Sequence, residues 1–225
     1  MRNGVTDSLT TFQATENSLE CIETLDPDYA TENWTNIDEG VSFSEFCASV
    51  YVSTTGSDST GDGSLENPFA SIQRGINAIT DGYDVLVAPG TYMENINFNG
   101  KNIEVQGEDR ETTIIHGNQE NIVVRFVTGE DSTALISGFT ITNGSHGIKC
   151  VNNSNPRIEN NIITGNANSG SANSGARGAG IAVHEASPRI YNNVISNNSV
   201  FANENYGSLG GGLYIFFSDL SLCDN

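Results

Sequence analysis

The residues of this chain that could do chemistry fall into three groups. The first is basic: Lys149, Arg157 and Arg189, with the two arginines in the phrases PRIENN and PRIYNN, 32 residues apart. A base held beside a ligand can take up a proton. The second group is His184, Tyr191, Tyr214 and Phe216, side chains with flat faces that stack on sugar rings. The third is Asp58, Asp62 and Glu66 in GSDSTGDGSLEN. These carboxylates are candidate calcium ligands, but their spacing departs from a loop offering oxygens at alternate positions. A turn ahead of a helix is the simpler reading. His116 and His146 each precede a glycine and read as turn residues, and the three histidines have no metal-site spacing.

The elements that must position these residues announce themselves by repetition. Residues 147–166 (GIKCVNNSNPRIENNIITGN) and 180–198 (GIAVHEASPRIYNNVISNN) state one phrase twice. A third copy begins at Gly212, and an earlier one ends in LISGFTITNG. Ile136 precedes Ile158 by 22 residues and Ile158 precedes Ile190 by 32. The base unit is therefore about 22 residues, and the longer interval carries extra Gly, Ser, Asn and Ala. A fixed period of this size specifies a stacked solenoid. Aligning the copies gives columns that alternation turns inward: Ile148, Ile181 and Leu213; Cys150, Val183 and Ile215; Ile158, Ile190 and Leu222; Ile141, Ile163 and Ile195. Each buried aliphatic contributes about 1.5–3 kcal/mol. Asn160-Asn161 and Asn192-Asn193, with Asp224-Asn225 below, recur at a corner, where Asn tolerates left-handed backbone and stacked amides can bond along the column.

The outward positions are Lys149 and Val151, then Ala182 and His184, then Tyr214 and Phe216. The adjoining strand presents Arg157 and Glu159, then Arg189 and Tyr191. The three bases are expected on one face, with Glu159 and Glu185 isolated near them. Glycine-rich loops at 165–180 and 199–211 would wall that face. The outward aromatics have a plainer reading too, as surface covered by coils beyond Asn225.

Composition narrows the class. Acidic residues outnumber basic ones 28 to 9, for a net charge of −19. That disfavours nucleic acid, which is bound by neutralising phosphates, and anionic membrane surfaces; it permits divalent cations. No apolar run reaches membrane-spanning length, and MRNGVTDSLT lacks the apolar stretch of a signal peptide. Asp84–Ala88, Asn102–Gly107, Thr113–His116, Ile122–Phe126 and Leu135–Ile141 read as short strands. Ile72, Ile76 and Ile79 recur at helical spacing after Pro68, predicting a short amphipathic helix that plugs one end of the solenoid.

Residues 48–100 resemble the opening segment of right-handed parallel β-helix proteins, pectate-lyase-like ones among them. The matching elements are YVS-x-x-GSD, G-x-x-x-NPFASIQ-x-GI and VLVAPGTY-x-EN. The repeats in 135–225 extend the likeness. It implies an all-β fold over 48–225: a right-handed parallel β-helix, single-stranded, with a short N-terminal capping helix. Upstream, Leu9, Phe12, Ala14, Asn17 and Leu19 match the pattern LxxLxLxxNxL. The segment CIETLDPDYATENWTNIDEGVSFSEFC resembles the closing part of leucine-rich repeat regions in secreted bacterial surface proteins. Residues 1–47 are thus expected to be a leucine-rich remnant with Trp34 as a core anchor. Both chain ends read as cuts, with a targeting signal and further coils outside the sequence.

These resemblances imply an extracellular carbohydrate-recognition or adhesion module, secreted or at the cell surface, that meets a polysaccharide or surface glycan as a monomer. They leave two alternatives. One is a polysaccharide lyase or glycoside hydrolase: β-helix lyases use Lys or Arg to remove a proton beside a carboxylate, with calcium stabilising the charge that forms. The other is a structural spacer. The four cysteines include no CxxC pair. Cys21 and Cys47 either pair in an oxidising compartment or remain buried thiols; Cys150 falls in a core column and Cys223 points outward. Asn33-Trp34-Thr35 and Asn152-Asn153-Ser154 fit the N-glycosylation pattern, as an Asn-rich chain does by chance.

Overall fold

The computed structural model describes residues 12–16, 19, 21–24, 26–44, 47, 49–119, 121–170, 176–201, 207–218 and 221–223. The N-terminal part contains β1 (Gln13–Ala14), β2 (Cys21–Glu23), α1 (Pro27–Asn33), β3 (Asn36–Ile37) and β4 (Ser42–Ser44). β1 pairs with β3 and β2 with β4, both in parallel. Trp34 is buried and stacks on Phe12 with ring centroids 4.5 Å apart. Cys21 and Cys47 are joined in a disulfide. Leu19, which the leucine-rich pattern would bury, is instead 45% exposed. Leu9, Asn17 and Ala48 lie outside the described residues.

From β5 (Val50–Val52) onward the chain winds. A loop leads to α2 (Ile72–Ala78), and then the coils begin. The first is β6 (Asp84–Val87), β7 (Gly90–Tyr92) and β8 (Ile96–Asn97); the second is β9 (Glu104–Gly107), β10 (Thr113–His116) and β11 (Ile122–Phe126). The third is β12 (Leu135–Ser137), β13 (Thr140–Thr142) and β14 (His146–Val151). The fourth is β15 (Arg157–Glu159), β16 (Ile162–Thr164), β17 (Ala167–Asn168) and β18 (Ile181–His184). The fifth is β19 (Arg189–Tyr191), β20 (Val194–Ser196), β21 (Ser199–Val200) and β22 (Leu213–Phe216), and β23 (Ser221–Cys223) follows. Stacked coils form three long parallel sheets, β5-β6-β9-β12-β15-β19-β23 (first), β7-β10-β13-β16-β20 (second) and β8-β11-β14-β18-β22 (third), and β17 pairs with β21 in a fourth, two-stranded one.

The register reproduces the inward columns. Ile136, Ile158 and Ile190 pair in the first sheet, Ile141, Ile163 and Ile195 in the second, and Ile148, Ile181 and Leu213 in the third. All but Ile195 and Leu213 are buried, as is Cys150. Ile215, expected inward, is 37% exposed in the last strand of its sheet. The side chains of Leu222 and Cys223, and all of Asp224 and Asn225, lie outside the described residues.

One expected strand is corrected. Leu135–Ile141 is not continuous: it breaks into β12 and β13, which belong to different sheets. Gly138 makes the corner. Its φ is +81°, and a Cβ there would stand 2.1 Å from the Gly107 carbonyl oxygen, so only glycine fits. In the coils below, Asn160 and Asn192 take the left-handed conformation at this corner (φ 54° and 55°). The following asparagines turn inward and stack: Asn161 Nδ2 donates to Asn193 Oδ1 at 3.2 Å. A second ladder, at the next corner, links Asn166 Nδ2 to Asn198 Oδ1 at 3.0 Å.

α2 closes the core as the helical spacing requires, with Ile72 and Ile76 buried. Ser71 Oγ accepts from Arg74 N–H, and Glu94 accepts from the amides of Ile72 and Gln73. At the other end, Lys101 Nζ donates to the carbonyls of Ile76, Asn77 and Ile79. Between the third sheet and the first, buried Glu130 accepts from Gly100 N–H, Thr128 N–H and Ser154 Oγ, tying successive coils. Buried carboxylates persist when hydrogen bonded in this way.

Candidate functional site

The third sheet carries the densest set of candidate residues. Alternation along β14, β18 and β22 sends two rows outward. One row is Asn97, Arg125, Lys149, Ala182 and Tyr214; the other is Val151, His184 and Phe216. Parallel strands place row neighbours about 4.8 Å apart, and the rings make use of it. His184 and Phe216 stack with centroids 5.3 Å apart and planes 6° from parallel; Tyr214 and Phe216 follow at 6.4 Å and 14°. Phe217, 75% exposed, leans on Phe216 at 4.1 Å.

The long intervals supply a wall. Arg177 and Leu209 form a parallel bridge, Gly178 N–H donates to Gly210 O at 2.9 Å, and Leu209 N–H donates to Ala176 O at 3.0 Å. The two glycine-rich segments therefore lie against each other beside β18 and β22, and Ala182 is buried beneath them. The Arg177 guanidinium carbon stands 5.4 Å from the Tyr214 ring centroid, within range of a cation–π contact. The remaining parts of these two loops, 171–175 and 202–206, lie outside the described residues.

The bases divide between sheets, which corrects the expectation of one face. Lys149 is on the third sheet. Arg157 and Arg189 are neighbours on the first, in the row that runs Asp84, Glu104, Leu135, Arg157, Arg189. Glu159 is not isolated either. Arg157 pairs with Glu104, two strands away, and lies 3.8 Å from Glu159. Tyr191, on the same sheet, is pushed up in pKa chiefly by its bond to Glu159. Arg157 is thus held by carboxylates, and Tyr191 belongs with it rather than with His184, Tyr214 and Phe216. Two cations join the third-sheet face that the repeat did not reveal, Arg125 and Arg177. Arg125 sits in IVVRFV, a coil whose sequence departs from the phrase; Arg177 sits in a loop the phrase does not contain.

The acidic trio does not converge. Asp58 Oδ1 accepts from the amides of Ala70 and Ser71, and Oδ2 accepts from Ser71 Oγ at 2.7 Å. Burial works to raise the Asp58 carboxyl, but the Ser71 and Ala70 donors bring it below its ordinary value. Asp62 Oδ1 accepts from Ser64 N–H and Oγ. Glu66 is exposed. Among the described residues no group of three His, Cys, Asp or Glu could hold a metal ion. Asp58 and Asp62 shape a turn and cap a helix, the simpler of the two sequence readings.

His146 heads β14. Burial, with the charge of Lys149 adding, lowers its imidazole to about 4. It is a neutral packing residue beside the face. His116 Nε2 meets Asn143 Nδ2 across a corner.

A cleft of about 920 Å³ opens elsewhere, between the loop after β5 and the outward side of the first sheet. Sequence reasoning had no sign of it, because its walls come from segments separated along the chain.

A family profile described as right handed beta helix region matches residues 66–220. No curated protein and no solved structure matches the chain.

Proposed function

The chain belongs to the right-handed β-helix family, and from that premise we propose that it is an extracellular carbohydrate-recognition module. The observation that carries this reading is the stacked ring series His184, Phe216, Tyr214 on the outward face of the third sheet. The His184 and Phe216 rings are exposed and in register on adjacent strands, and half-buried Tyr214 stands two residues from Phe216 on the same strand, so a glycan laid across these strands can meet the apolar rings. The paired loop segments at 176–179 and 207–210 give the face one wall. Beyond Ala182, which the loop segments cover, the same row continues toward the N-terminal coils with Lys149 and Arg125, so positive charge lies on that side of an otherwise acidic protein. Hydroxyl- and carboxylate-bearing sugars both fit such a track.

The Cys21–Cys47 disulfide supports a secreted or cell-surface setting, since such bonds persist in oxidising compartments. Among the described residues no helix is long and apolar enough to cross a membrane.

Electrophoresis through gels containing plant, algal and bacterial polysaccharides tests the proposal. Retardation by at least one polysaccharide is expected, with no rise in ultraviolet absorbance from unsaturated product during incubation, with or without calcium. Unretarded migration in every gel contradicts the binding reading. A calcium-dependent rise in absorbance replaces it with a lyase.

A further inference from the structure

The cleft on the first sheet is built rather than incidental. After β5 the chain loops away and returns at Phe69, and backbone bonds pin it at both ends. Tyr51 N–H donates to Gly63 O at 2.8 Å, Ser53 N–H to Phe69 O at 2.9 Å and Ser57 N–H to Pro68 O at 3.0 Å. The turn is closely folded: a Cβ at Gly56 or Gly61 would stand 2.3 or 2.2 Å from a backbone carbonyl oxygen. Asp58 binds the far side of the loop to the start of α2. The outer wall is therefore preorganised, which lowers the ordering cost of binding.

The floor is the outward row of β5, β6 and β9. Tyr51 pairs with Leu86 and Leu86 with Gln106, so three side chains stand one strand apart. Their span of about 10 Å matches roughly two pyranose rings in line. Leu65, 65% exposed, forms an apolar lip, and Glu66 and Glu108 contribute carboxylates. The volume of about 920 Å³ falls in the range of small-ligand sites. The described lining includes no Lys, Arg or His.

We propose that this cleft is a second carbohydrate site, selective for oligosaccharides that carry no acidic group. Tyr51 and Leu86 on the floor and Leu65 on the lip receive the faces of sugar rings. The carboxylates of Glu66 and Glu108 accept hydrogen bonds from sugar hydroxyls or amines, the charge-assisted kind that is strongest. The same carboxylates repel uronates and sulfated sugars, with no cation in the lining to offset them. The third-sheet face, where Arg125, Lys149 and Arg177 lie, carries no such bias against acidic sugars. The inference stands independently of that face.

The test is titration calorimetry with neutral tetrasaccharides (of glucose, mannose, xylose and N-acetylglucosamine), a chitosan tetramer and tetragalacturonate. A Phe216→Ala chain, in which the third-sheet face is weakened, is expected to bind at least one neutral or amine-bearing oligomer and to bind it better than tetragalacturonate. Glu108→Gln and Leu65→Ala, both at exposed positions, should weaken that binding by about tenfold while leaving the melting temperature unchanged. Because Phe216→Ala weakens the third-sheet face, the binding read in that background belongs to the cleft. Tighter binding of tetragalacturonate, no binding of any neutral or amine-bearing oligomer, or affinity untouched by both cleft variants would overturn the proposal.

Discussion

His146 has both ring nitrogens engaged: Asn168 Nδ2 donates to Nε2 at 3.1 Å, which leaves Nδ1 to meet Ser145 Oγ at 3.2 Å. That arrangement suits the neutral ring, in keeping with a pKa lowered from 6.5 to about 4. The unfolded chain takes up its proton near 6.5 and the folded chain only near 4, so between those values the unfolded state binds more protons. The stability contributed by His146 is complete above pH 6.5 and is lost as pH falls toward 4. The melting temperature measured across that window should therefore decline on acidification, and His146→Gln should flatten the decline. An identical slope in the variant would contradict the assignment. At this scale the sequence was least informative about charge. Arg157 and Glu104 are 53 residues apart in the chain yet form an ion pair. Two coils of unequal length separate them, and no local spacing rule reaches that far.

Corners are the elements on which the coil depends. Asn161 is fully buried; its Oδ1 accepts from Phe139 N–H at 3.1 Å and its Nδ2 donates to Ile136 O at 3.0 Å as well as to Asn193. Asn161→Ala strands that amide and carbonyl without partners, at a cost of about 1–3 kcal/mol each. Denaturant unfolding of the variant should show a loss of about 2–6 kcal/mol, and a change under about 0.5 kcal/mol would remove the ladder from the account. The Asn161 ladder was legible because the NN pair recurs in identical context. The Asn166 ladder was not singled out, because its two members fall where the repeats begin to diverge into loops of different composition. The capping helix was legible from Ile72 and Ile76, whereas the devices that hold it, Glu94 and Lys101, come from the next coil and carry no sequence mark. The break at Gly138 escaped because LISGFTI reads as one apolar run; what splits it is the close approach of Gly107 from the coil above.

For the molecule as a whole, inward columns and parallel stacking follow from a period of about 22 residues, and the register agrees with the sequence alignment of the copies at Ile136, Ile158 and Ile190. The faces were harder to assign. Alternation says which side chains point out, but not which of three sheets they point from, and so Lys149 was grouped with Arg157 and Arg189. His184, Tyr214 and Phe216 survive as a group because the 32-residue step places them on adjacent strands. The account rests on that group as the seat of glycan binding. The most direct measurement is titration calorimetry of wild type, Tyr214→Ala and Phe216→Ala with the polysaccharide that retards wild type most strongly, alongside thermal melts of all three. Both variants should lose about two- to tenfold in affinity, as removal of a stacking ring entails, and melt within a few degrees of wild type. Unchanged affinity in folded variants would contradict the claim that these rings form the binding face.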